Sequence, residues 1–418
     1  MQVLLFIFYC IFFSYFFYIY KLDKNTGISI KVIIGLFLFK VFGGCVNLYI
    51  HYNDYITNDI GFYFEQSVHE LTNMKNNPTA FFKEWLFNWG DSSGKINMFE
   101  RENMSFWSSI GMQVHYKYMT LANMFSLGNV YVNVILFNVM YFIGQLYLYK
   151  TLYLNAPHKK YLFLVVVFLI PSVVFWCSGI HKDGIILSCI GFVSYFIYQY
   201  LSTKNSLLLL ASTLFLSLLF VTRYFYLLCI FPPLLLWIFT FKSKFKLLIF
   251  SIAYLIAFVI LFNINELFPA IKPLELISNR QKDFIHLIGY SDMKTPILEN
   301  YFMSYVKNFP TALNHILLKP SFHFNDYLKY KIASIDSWFV CSLIILFSAF
   351  IKRKNLNNGF FLFLLFFGAT VYLFIGYTIP NAGALIRYKS EFTVVLLSAL
   401  VGLSEVPFLK RVYSKEII

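Results

Sequence analysis

Charged side chains are scarce in this sequence. Asp, Glu, Lys and Arg together make up 13% of its 418 residues, about half of what a water-soluble domain carries. Acidic residues are scarcer than basic ones, 20 against 34. Cysteine is sparse as well. Cys10, Cys45, Cys177, Cys189, Cys229 and Cys341 are scattered in or beside apolar runs, and no CxxC occurs. That spacing argues against a disulfide framework and against a cysteine metal site. No basic tract and no zinc-type spacing accompany the net charge of +14, so nucleic acid is not read as a partner. There is no internal repeat of the kind many transporters show. The first segment, MQVLLFIFYCIFFSYFFYIYK, lacks a basic leading region and a small-residue cleavage site. It reads as a retained helix and not as a signal peptide.

What fills the sequence is apolar: 59% of residues are hydrophobic. Runs of about 18 residues or more recur, each long enough to cross a bilayer as a helix. The fold class expected is an all-α, polytopic transmembrane helical bundle, one integral membrane domain over 1–418. About 11 spans are expected, at 2–20, 28–50, 129–149, 160–177, 184–201, 206–222, 225–240, 246–264, 336–351, 359–377 and 386–404. Pro232 and Pro233 fall inside the short seventh run. Alternate junctions carry KLDK, HKKY, STK, FKSKFK, KRK and LKRVYSK. Basic loops mark the cytoplasmic side, so the N-terminus is expected outside and the C-terminus inside the cytoplasmic (inner) membrane. Two long loops, 51–128 and 265–335, then lie on the non-cytoplasmic side.

Three short junctions on that outer side break the charge rule, because each holds a cation: SGIHKDG, TRYF and NAGALIRYKSEF. Ionisable groups near the membrane mark candidate sites; the plainer alternative is a side chain snorkelling to the headgroups. The candidates are His181, Lys182 and Asp183, then Arg223, then Arg387, Lys389 and Glu391. Each has a simpler structural reading. Lys182 and Asp183 form a local ion pair, with Asp183 capping a helix that starts at Gly184. Arg223 anchors at the interface beside Tyr224 and Tyr226. Arg387 pairs with Glu391 one turn on. Lys40 stands apart, in the middle of the second run. There a lysine costs about 2.5 kcal/mol or more. It either meets a carboxylate or polar cavity, or escapes to an interface through a break at FGG.

The first long loop begins HYNDYITNDIGFYFEQSVHELTNM. Asp54 and Asp59 stand just past the second span. Beyond them Ile60, Phe64, Val68 and Leu71 repeat at three and four, one face of an amphipathic helix lying on the membrane surface. Asp59 is either a helix cap or a carboxylate held beside a lipid headgroup, and Glu65 is a supporting candidate. The second long loop holds cations without specific spacing and reads as a substrate cover.

An early Asp in a long outer loop, an amphipathic helix after it, many spans and cations on the outer face resemble the GT-C superfamily of membrane glycosyltransferases. Pro171 to Asp183, of the form PSxxFWxSGxxKD, and Gly383 to Lys389, of the form GxLxRYK, resemble stretches of bacterial membrane proteins from polysaccharide loci. These two stretches cover about a twentieth of the chain. The resemblance implies a polyprenyl-phosphate- or diphosphate-linked sugar as donor, a glycan or lipid acceptor, and a catalytic carboxylate at Asp59 or Asp54. The sequence also resembles the O-antigen polymerase and ligase group, in which Arg223, Arg387 and His181 would act at the lipid diphosphate. A lipid-linked oligosaccharide flippase, without chemistry, is the third reading. The chemistry fits the residue types. A phosphate leaving group gathers negative charge, which Arg binds bidentately and Lys as a point charge. An acceptor hydroxyl needs a base such as Asp or His. No cofactor is implied with certainty, and a divalent metal stays open.

Overall fold

The computed structural model describes residues 2–52, 59–87, 106–285, 291–322 and 327–409. Among them the chain is helical, with two isolated β-bridges and no strand. In order, the α-helices are α1 Gln2–Ile19, α2 Ile30–Tyr52, α3 Asp59–Asn76, α4 Pro78–Phe87, α5 Phe106–Ser126, α6 Val130–Asn155, α7 Lys160–Phe168, α8 Pro171–Trp176, α9 Lys182–Thr203, α10 Ser206–Thr222, α11 Tyr224–Phe239, α12 Lys246–Leu267, α13 Pro273–Ile285, α14 Phe302–Leu318, α15 Leu328–Ala349, α16 Gly359–Thr378 and α17 Ala382–Leu403. A helix is what an apolar run must form in lipid, because it satisfies every backbone group within the segment.

Among the described residues seven helices are long and apolar enough to cross a membrane: α1, α2, α6, α9, α12, α15 and α16. The four other expected spans take different forms. α10 and α11 are shorter apolar helices, and α11 runs through Pro232 and Pro233. The run at 160–177 is broken into α7 and α8. Pro171 starts α8 at its first turn and Ile170 before it is extended, as the steric demand of proline on its predecessor requires. α17 is 22 residues long but carries Arg387, Lys389 and Glu391 in its first half.

The chain forms two compact units: Met1–Pro157 with Val167–Leu228, and His158–Val166 with Cys229–Ile418. In the first, α6 and α9 pack face to face through glycine. A Cβ on Gly144 would strike Ser188, and one on Gly191 would strike the Gly144 carbonyl. Such close approach is how helices pack where no hydrophobic drive separates them from lipid. α3, α4 and α5 occupy much of the 51–128 segment. The face that α3 turns to the protein shares Ile60 with the apolar stripe but otherwise lies beside it. Ile60, Tyr63 and Ser67 are buried, while Val68 is 38% exposed. Hydrogen bonds to α5, itself tied to α6, hold this face inward. Thr120 donates to Glu70 (2.7 Å), Asn123 to Ser67 (2.7 Å) and Asn133 to Asn123 (2.6 Å). Buried polar groups need such partners.

In the second unit α16 and α17 pair closely, with Gly368 against the Leu396 backbone and Gly402 against Phe361. α14 crosses α16 where Gly376 meets the Ala312 carbonyl. Lys159 is buried and donates to the carbonyls of Val401 (3.1 Å), Gly402 (2.8 Å) and Ser404 (2.6 Å). Its ammonium thus satisfies carbonyls at the C-terminus of α17, where the helix dipole favours a cation.

Candidate functional site

The stretch from Pro171 to Gly184 is a crossing point in the first unit. Lys40 of α2 donates to the Cys177 carbonyl (2.6 Å) and to Ser178 Oγ (3.3 Å), with the Tyr141 ring 5.9 Å away. α2 is continuous through Phe42, Gly43 and Gly44, so Lys40 does not escape through a helix break. It binds the carbonyl end of α8 instead. Gly43 allows this approach, since a Cβ there would lie 2.6 Å from Val174 Cγ1. Asn138 donates to the Ser178 carbonyl (2.7 Å) and Tyr141 to the His181 carbonyl (2.9 Å). A Cβ on Gly179 would collide with Asn47, whose Oδ1 meets His181 Nε2 at 2.9 Å. The loop is therefore pinned by side chains from α2 and α6.

α9 begins at Lys182 with His181 at the cap position. The expected start at Gly184, with Asp183 as cap, is corrected: Asp183 lies in the first turn and is fully buried. It forms an ion pair with Arg223, Nη2 to Oδ1 3.9 Å, in which the arginine side chain is 9% exposed. The Arg223 guanidinium also lies 6.0 Å from the centre of the buried Tyr226 ring. Arg223 thus turns inward at the end of α10, in contrast to the interfacial anchor envisaged as its simple reading. A buried carboxylate demands a cation, and this one is 40 residues away in sequence.

Lys182 stands beside this pair. Its Nζ is 5.8 Å from the centre of the Tyr63 ring on α3, and a Cβ on Gly111 of α5 would approach it to 3.6 Å. Tyr63 in turn stacks near the buried His115, ring centres 4.4 Å apart. Asp59 is the first residue of α3, one turn before Tyr63 and hence on the same side. Glu65 is on the exposed side of α3. Asp54 lies outside the described residues. Deeper along α3, burial pushes the Glu70 carboxyl above its ordinary range, partly offset by the Thr120 hydroxyl and by Lys117 and His69.

The remaining candidates belong to the second unit. Arg387 is half-buried, 5.9 Å from the Tyr388 ring centre. Lys389 is buried and donates to Ser337 Oγ (2.8 Å) and the Lys319 carbonyl (3.1 Å), tying α17 to α15 and to the end of α14. Glu391 is fully buried and accepts from Ser390 (3.3 Å). The 291–293 segment is held over the start of α17. Ser291 donates to Asn381 Oδ1 (2.9 Å), Ala382 N–H to the Ser291 carbonyl (2.8 Å) and Met293 N–H to the Pro380 carbonyl (2.7 Å).

The structure therefore brings His181, Lys182, Asp183 and Arg223 together at one end of the first unit, with α3 beside them. Sequence reasoning missed residues that meet them: Asn47, Tyr63 and Tyr141. Asn47 carried a signal, as a polar residue near the end of an apolar run. Among the described residues no three of His, Cys, Asp and Glu gather as a metal-binding group would. Compared with family models, curated proteins and solved structures, the chain gives no match.

Proposed function

We propose that this protein is a membrane glycosyltransferase acting on polyprenyl-phosphate-linked sugars at the outer face of the cytoplasmic membrane. The observation that carries the reading is that Lys182 lies against Tyr63 of α3 while its neighbour Asp183 is paired with Arg223 from the end of α10. Two cations at one helix-bundle end suit a phosphate. Asp183 offsets part of their charge and orients the guanidinium, whose planar fork binds phosphate oxygens in pairs. In the proposed reaction the acceptor hydroxyl oxygen attacks the anomeric carbon. The bond from that carbon to the phosphate oxygen breaks, and the electron pair leaves on phosphate, facing Lys182 and Arg223. Asp59 takes the hydroxyl proton. His181, buried and held through Asn47, acts as a positioning residue for the start of α9. Placing the site on the outer face follows from the basic junctions, which the positive-inside rule assigns to the cytoplasm.

The test is glycan transfer by the purified full-length chain in lipid nanodiscs, using a labelled polyprenyl-phosphate-linked sugar and no ion gradient. Transfer or release of sugar is expected. Arg223→Lys should lower kcat by about tenfold or more, as charge is kept but the fork is lost. Asp59→Asn, which still serves well at a helix N-terminus, should abolish transfer at normal expression. Intact substrate crossing the bilayer without bond cleavage would count for a flippase and against this reading.

A further inference from the structure

Next to Lys182 in the chain lies a group of rings of which the proposed chemistry uses His181 alone, for positioning. Trp176 ends α8, His51 lies in the last turn of α2, and His181 caps α9. Their ring centres form a triangle: His51 to Trp176 5.1 Å, Trp176 to His181 5.6 Å, and His51 to His181 5.6 Å. Phe175 closes one side, 5.6 Å from His51 and perpendicular to Trp176. His181 is buried, whereas Trp176 and His51 are half-exposed. Two of the three rings are held through Asn47. His51 Nδ1 lies 2.9 Å from the Asn47 carbonyl, and His181 Nε2 lies 2.9 Å from the Asn47 side chain.

We infer that Trp176, framed by His51 and His181, is the platform on which the sugar ring of the lipid-linked donor stacks. The inference rests on the proposed function, and names what that site would recognise beyond the phosphate. A pyranose has one face lined by C–H bonds of partial positive charge and a rim of hydroxyls. The first suits the negative face of an indole. A tryptophan that serves only as a membrane-interface anchor has its rim in the headgroups; Trp176 instead sits against two imidazoles, one of them buried. His181 is followed directly by Lys182, so the platform and the phosphate cations are adjacent in the chain.

The experiment measures binding to the full chain in nanodiscs. The probes are a short-chain polyprenyl phosphate and a panel of its hexose esters (glucose, galactose and mannose). For the tightest-binding ester, Trp176→Ala should weaken binding about tenfold while leaving the sugar-free lipid within about twofold, and Trp176→Phe should fall between. Equal loss for both lipids, or no loss for either, overturns the platform while the proposed function stands. The platform is likewise overturned if the wild-type chain binds no ester more tightly than the sugar-free lipid. Failure of the wild-type chain to bind any of these lipids removes both. A second measurement does not need the alanine variant to fold. In the 5-fluorotryptophan-labelled protein, the resonance missing from Trp176→Phe should move with the ester and not with the sugar-free lipid. A resonance that stays still with both overturns the inference.

Discussion

Asp183 and Arg223 illustrate how little a residue's neighbours in sequence say about its partner. Lys182 is adjacent to Asp183, yet the structure pairs the carboxylate with Arg223 at 3.9 Å, both side chains largely shielded from solvent. Removing one member of such a buried pair leaves the other uncompensated, at about 3–5 kcal/mol, whereas replacing both with apolar groups is close to neutral. Asp183→Ala should therefore lower Tm in detergent more than the double variant Asp183→Leu, Arg223→Met. Equal losses would mean the pair is not the stabilising contact. Glu70 gives a pH test. Its carboxyl is raised by burial, so the folded chain holds that proton more tightly than the unfolded one. This contribution to stability is present below the ordinary carboxylate range and is lost as pH rises through the raised value. Glu70→Gln keeps an acceptor for Thr120. It should leave Tm almost unchanged at low pH, raise it at pH ~8 and flatten the profile between; an unaltered profile would rule the residue out.

Helices here are placed by small side chains and buried amides as much as by apolar faces. α6 and α9 touch where Gly144 and Gly191 lack side chains. Gly191→Val would push a branched side chain into the Gly144 carbonyl, so it should cost about 1–3 kcal/mol or more. It should show as a lowered Tm or loss of monodisperse protein. Gly35 is the control, being a helical glycine on the exposed side of α2 with nothing within 4 Å of where a Cβ would stand. Gly35→Ala should be neutral or stabilise by about 0.5–1 kcal/mol. A similar loss at both positions would argue that backbone flexibility, and not close packing, is what these glycines supply. α3 shows the same logic from the polar side. Its register on α5 follows the bonds through Ser67, Glu70 and Asn123, a preference that an apolar-periodicity count does not register.

For the molecule as a whole, the proposed orientation makes a prediction independent of the chemistry. Single cysteines at Ser92 and Thr203, introduced into a background without the six native cysteines, should differ toward an impermeant thiol reagent in intact cells. Position 92 should label and position 203 should not, provided the reagent can reach the cytoplasmic membrane. Labelling at 203 with none at 92 would invert the chain and move the proposed site to the cytoplasm. The membrane-embedded character itself is less sensitive to such detail, since seven helices have the length and hydropathy to span a bilayer.

Hydrophobic run length was enough by itself to determine an all-helical membrane chain, because lipid leaves the backbone few other ways to satisfy its hydrogen bonds. The break near Pro171 was also implicit in the sequence, through the steric rule for the residue before proline, though the run around it read as one span. The charged cluster at 181–183 was legible as a candidate for the same kind of reason: ionisable groups at an apolar junction are costly and need an explanation. Only the tertiary structure decided which partners they take. Asp183 found Arg223, Lys182 found Tyr63, His181 found Asn47, and Lys40 found the carbonyl end of α8. Each of these contacts joins residues at least 40 positions apart. They are set by how closely glycines let helices approach and by which buried polar groups must be satisfied, and neither quantity is local in sequence.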